Sequence, residues 1–214
     1  MSSSVFSHNG AAYFGGAVSS YSSKMHFNQT RFTANRVREV GAAVSAYTYS
    51  DLEFLNVEFS DNWQAGSDSC AYDCGGGAIY AADFAVLAVL GGRLRNNSAS
   101  RGSGGAILAR DSAVVEVQGV LADSNLATEF GGGIAAKDSS SVLLEALVVL
   151  QQNTAGAGGG AIFSGGGTVT LDGVSILGNK AAGLGGGILM YSAVQVTSDV
   201  LIADNEAGNG GGLF

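Results

Sequence analysis

Three aspartates recur at one place in a repeating pattern: Asp83, Asp111 and Asp138, with Arg110 and Lys137 immediately before two of them. If the chain stacks on itself in equal steps, their carboxylates align about 5 Å apart. Converging carboxylates beside a basic group are what acid–base work on a sugar or oxygen ligation of Ca²⁺ requires. These three are the chain's weak metal candidates. The competing reading is a solvated turn in which Asp caps backbone amides, and Gly166 and Ser192 at the same place in the next two repeats agree with it. Histidine adds little. His8 and His26 fall at different places in the repeat, and two imidazoles so placed build no Ser-His-Asp arrangement. The glycine run 156–160 invites a phosphate-loop reading, but no helix follows to receive a phosphate. A Gly-Gly-x-Gly-x-Asp calcium repeat is missing as well. No catalytic residue and no cofactor are therefore expected, and the chain reads as a non-enzyme.

Binding chemistry concentrates in residues 63–75, a stretch longer than its counterparts. It holds the only Trp, Trp63, together with Asp68, Tyr72, Asp73 and both cysteines, Cys70 and Cys74. Insertions in repeat proteins project from one face and often carry binding, although a neutral insertion costs little entropy. The Cys-x-x-x-Cys spacing has no further Cys or His for zinc, so a disulfide between Cys70 and Cys74 is expected. Asn28-Gln29-Thr30 and Asn96-Asn97-Ser98 are glycosylation acceptor triplets at Asn28 and Asn96.

The elements that position these groups follow from a glycine-rich signature that occurs eight times, from Gly15-Gly16-Ala17-Val18 through Gly104-Gly105-Ala106-Ile107 to Gly210-Gly211-Gly212-Leu213. An asparagine precedes each signature: Asn9, Asn35, Asn62, Asn97, Asn125, Asn153, Asn179 and Asn205, at intervals of 26, 27, 35, 28, 28, 26 and 26 residues. A fixed period in this range marks a solenoid. One coil reads as three short strands. Gly159 to Phe163 is entered through glycines, Val169 and Leu171 alternate with threonines, and Val174 and Ile176 lead to Asn179. No coil buries its apolar face alone, so stacking must build a continuous core and an Asn ladder. The expected fold is all-β: a right-handed single-stranded parallel β-helix of about seven to eight coils over residues 1–214, with three strands per coil.

Composition supports this. Thirty-four Gly without any Pro suits a chain whose backbone N–H groups nearly all donate to a neighbouring strand. Lys and Arg number 10 against 18 Asp and Glu, a net charge of −8, which argues against nucleic acid and anionic membrane as partners. The apolar stretches are too short to span a bilayer. Phe6-Ser7-His8-Asn9 already belongs to a repeat and Leu213-Phe214 stops inside one, so the sequence reads as an excerpt of a longer repeat protein.

The combination of Gly-Gly-Ala-aliphatic with Phe-x-x-Asn resembles the repeats of chlamydial polymorphic outer-membrane proteins. Phe6-Ser7-His8-Asn9, Phe32-Thr33-Ala34-Asn35 and Phe59-Ser60-Asp61-Asn62 carry the second motif in full, and Leu94-Arg95-Asn96-Asn97 keeps it with Leu. Ala122, Leu150, Ile176 and Ile202 replace the Phe later on. The resemblance implies a surface-displayed β-helix of autotransporter-passenger type, acting in adhesion. Three functions are thus expected in order: a structural or adhesive segment of an extracellular or cell-surface protein that meets protein or glycan; a carbohydrate-active β-helix; and a unit of an extracellular filament that packs end to end.

Overall fold

A computed structural model describes residues 3–66 and 74–214. Every strand-to-strand ladder in it is parallel, and no helix occurs among the described residues. Three sheets run the length of the solenoid, one of twelve strands and two of seven. The expected parallel β-solenoid with three strand positions per coil is the observed architecture. One seven-stranded sheet follows the glycine signatures and the other follows the asparagines, while the long sheet lies between them in chain order.

In the long sheet, two of the three strands expected per coil fuse in the middle of the molecule. Asp51–Ser60, Val86–Arg95 and Val114–Asp123 are each a single 10-residue strand. Left-handed residues bend each strand: Asn56 (φ 51) in the first, Gly91 (φ 73) with Gly92 (φ 103) in the second and Gly119 (φ 57) in the third. The register resumes one residue later, so Leu90 pairs Leu55 and Gly92 pairs Val57. Further along, Ala146 and Leu147 are both left-handed, and there the strand splits into Ser141–Glu145 and Val149–Gln151.

Side chains of one type stack on the same type. Val44, Ile79, Ile107, Ile134, Ile162 and Ile188 form one column in direct register, and all are fully buried. Leu52, Leu87, Val115, Val142 and Val169 form another. In the coil read above, Ile162, Val169, Leu171, Val174 and Ile176 are buried, whereas Thr168 and Thr170 are half-buried on the outer side. The early coils fill the same core with phenylalanine. Phe6, Phe32 and Phe59 stack at centroid separations of 4.9 and 4.8 Å, and Phe27 and Phe54 stack at 5.2 Å.

The two glycines of the signature have different reasons. Gly104 has φ 69, and a Cβ there would stand 2.3 Å from the Ile107 carbonyl oxygen. At Gly105 a Cβ would meet the Gly132 carbonyl oxygen at 2.1 Å and the Leu126 backbone at 2.7 Å. The first supplies a left-handed corner and the second lets two backbones pass.

A second apolar cluster lies outside the coil cavity. Val40, Tyr80, Ala82, Leu108, Ala135, Phe163 and Leu189 are buried there, with Phe130 and Leu184 packed against them. Tyr80, Leu108, Ala135, Phe163 and Leu189 share one register column on the outer face of the glycine-side sheet. The segment leading into each signature folds over that face, and Phe130 stacks on Phe163 at 4.5 Å.

Candidate functional site

The asparagines occupy the corner that enters the second seven-stranded sheet, and each is joined to the next. Asn153 donates from its backbone N and its Nδ2 to Asn179 Oδ1, both at 2.9 Å, and its Nδ2 also donates to the Ala122 carbonyl at 3.1 Å. The pattern repeats from Asn9 through Asn35, Asn62, Asn97, Asn125 and Asn179 to Asn205. Asn35 to Asn179 are fully buried. One carboxamide thus satisfies an acceptor and two donors at a corner with no solvent. The ladder is architecture.

Asp83, Asp111 and Asp138 take up left-handed turn positions with φ 51, 48 and 47, each followed by a second left-handed residue. Arg110 ties two of them together: its Nε lies 2.7 Å from Asp111 Oδ2 and its Nη2 lies 3.0 Å from Asp138 Oδ2. The Nε contact is close in distance but misaligned for a hydrogen bond, so we treat it as an ion pair. Burial works against the charge of Arg110, but Tyr80, Asp111 and Asp138 outweigh it and hold its pKa above the ordinary arginine value. The third aspartate, Asp83, has no side-chain hydrogen bond or ion pair among the described residues. Among the described residues no group of three or more His, Cys, Asp or Glu is placed to hold a metal ion.

Around Asp83 the fold assembles what the sequence did not announce. A groove of about 540 Å³ is lined by Phe14, Glu39, Val40, Tyr47, Tyr80, Asp83, Arg110 and Asp111, drawn from four successive coils. Phe14 lies against Tyr47 with ring centroids 5.2 Å apart, and Tyr47 meets Tyr21 edge-on at 5.5 Å. The available signal was the failure of strict alternation: Ile79-Tyr80, Ile107-Leu108, Ile162-Phe163 and Ile188-Leu189 put two large apolar residues in succession. Such pairs mean that both faces of a strand are covered.

The third coil departs from the reading of residues 63–75 as one inserted loop. Trp63 and Gln64 form a strand paired with Arg36–Val37 and Ser98–Ala99. Gln64 is fully buried and donates from Nε2 to the Arg38 carbonyl at 2.9 Å. Trp63 is exposed beside the Arg36 guanidinium, which lies 4.2 Å from the ring centroid, and its Nε1 donates to Ser100 Oγ. Backbone pairing continues that far because Asn62 still sets the corner, so the extra residues begin later. Asp68, Cys70, Tyr72 and Asp73 lie outside the described residues; Cys74 is buried and disulfide-bonded.

Both glycosylation triplets place their asparagine on the surface. Asn28 ends the strand Lys24–Asn28, and Asn96 is left-handed with Nδ2 donating to Asp61 Oδ1 at 2.6 Å. His26 faces outward, with Nδ1 3.2 Å from Glu53 Oε2. No helix of the described residues is long and apolar enough to cross a membrane.

Fold and ladder define a glycine- and asparagine-patterned parallel β-solenoid. The family model for the Chlamydia polymorphic membrane protein repeat matches residues 148–165, the stretch from Val148 through Asn153 to the Gly159-Gly160-Ala161-Ile162 signature. The chain therefore carries a repeat of that type. Neither a curated protein nor a solved structure matches the chain.

Proposed function

We propose that this chain is a rigid, non-catalytic segment of a surface-associated β-solenoid that binds another macromolecule through side chains displayed on its outer faces. The repeat match over residues 148–165 carries this reading. A continuous ladder of strands and asparagines supports it, because such a rod holds outer side chains at fixed spacing without a mobile scaffold. The non-catalytic part rests on Arg110, which neutralises two members of the aspartate column that resembled an acid–base site.

Beads coated with the folded chain should adhere to cultured epithelial cells, and beads coated with the reduced, urea-unfolded chain should not. Equal adhesion by the two would end the adhesive reading. A carbohydrate-active alternative has one observation in its favour: Glu39 and Asp83, both without side-chain partners among the described residues, share the aromatic groove. Incubation with a glycan panel should release no new reducing ends, and release would replace binding by hydrolysis or elimination.

A further inference from the structure

Three columns of the solenoid meet at the groove, and they meet again three coils further on. There, Phe130 precedes its glycine signature as Val40 does in the groove and Phe14 does one coil earlier, and Phe163 stands in the register column of Tyr80. Lys137, three residues after its signature aliphatic, completes that second set. Its Nζ lies 5.8 and 5.7 Å from the Phe130 and Phe163 ring centroids, which is cation–π range. In the groove the corresponding residue, three after Val44 and one coil before Tyr80, is Tyr47. The groove thus carries an aromatic ring at the place where the second set carries its cation.

The groove's charge differs in the same sense. Among the described residues that line it, Glu39, Asp83 and Asp111 oppose one guanidinium, Arg110, leaving two negative charges. Arg110 is already engaged by Asp111 and Asp138. Among the described residues, Glu39 and Asp83 have no side-chain partner. Tyr47 is half-exposed and Phe14 exposed, so aromatic surface and carboxylates are reachable from solvent together.

We propose that this groove captures a basic side chain, arginine or lysine, of a protein partner. This rests on the surface-binding reading above and names its site. Phe14, Tyr47 and Tyr80 supply π-faces, as Phe130 and Phe163 do for Lys137. Glu39 and Asp83 supply the counter-charge, and a guanidinium gains additionally because it stacks on rings and is weakly hydrated. A neutral sugar would use the rings but would leave two carboxylates uncompensated.

The probes are acetyl-Gly-Arg-Gly-amide and acetyl-Gly-Lys-Gly-amide, titrated into the folded chain and followed by NMR shifts of the Tyr47 and Tyr80 rings. The neutral acetyl-Gly-Gln-Gly-amide should bind at least about tenfold more weakly than either. The double variant Glu39→Gln/Asp83→Asn should lose affinity for the basic peptides by about tenfold or more. It should fold, because both side chains are solvent-accessible and Asn tolerates the left-handed turn at position 83. A control, Glu116→Gln/Glu145→Gln, removes the same charge from the long sheet and should change affinity by less than about twofold. An equal loss in both variants would reduce the effect to bulk acidity and overturn the site. Saturable binding of cellotetraose with no binding of the basic peptides would overturn it in favour of a saccharide. Adhesive beads with an inert groove would refute the site alone, whereas a binding groove on non-adhesive beads would refute the adhesive reading alone.

Discussion

Each inner ladder asparagine, Asn35 through Asn179, is used to capacity. Asn179 accepts two N–H groups from Asn153 and donates to the Leu150 carbonyl at 2.9 Å and to Asn205 Oδ1 at 2.9 Å. Leucine fits the volume but strands the Asn153 backbone N–H in a corner without water, at about 1–3 kcal/mol. Aspartate keeps the acceptor but loses the donor and sets its charge against the Asn205 oxygen, so Asn179→Asp should fare no better. Urea unfolding of both variants checks this. An Asp variant as stable as wild type would mean that the donor side of the ladder contributes nothing.

At the scale of the element, the glycine-led strand is held in a narrow passage. Gly105 has backbone on both sides of its missing Cβ, and backbone cannot rotate away as a side-chain tip can. Gly105→Ala should therefore destabilise by about 3 kcal/mol or more. The strand Thr168–Leu171 shows the opposite kind of constraint. Leu171 is fully buried between Leu144 and Val196 of adjacent coils, and Leu171→Ala should cost about 2–5 kcal/mol according to how far the neighbours collapse. Thermal or chemical unfolding midpoints measure both. A Gly105→Ala protein with an unchanged midpoint would show that the corner has slack the geometry denies.

At the scale of the molecule, the strand ladders of the described residues join each coil to its neighbours, so a defect should stay local. In the Leu171→Ala variant, amide exchange should accelerate in the coils holding Leu144, Leu171 and Val196 before it changes around Phe32 and Phe59. Uniform acceleration from end to end would indicate a single cooperative unit instead. The same linear order explains how the groove arises. Phe14, Tyr47, Tyr80 and Arg110 are up to 96 positions apart in sequence, yet each lies one coil from the next.

Period, glycines and alternating apolar residues were enough to read a parallel β-solenoid, its stacked asparagines and its inward Val, Leu and Ile columns, because these depend on local geometry repeated at fixed intervals. Val169 and Leu171 point inward for the same reason that Thr168 and Thr170 do not. Sequence also marked Asp83, Asp111 and Asp138 as one column. What it left open was which of them is neutralised, since Arg110 reaches the aspartates at 111 and 138 and leaves Asp83 alone. That choice belongs to a side chain crossing between coils. Likewise Trp63 sits within the longer interval of the repeat but belongs to a strand, because pairing to Arg36 and Ser98 extends past the asparagine corner. The aromatic groove was decided by the tertiary structure alone. Its rings occupy three different places in the repeat, and only the folding of the pre-signature segment over the outer sheet face brings them together.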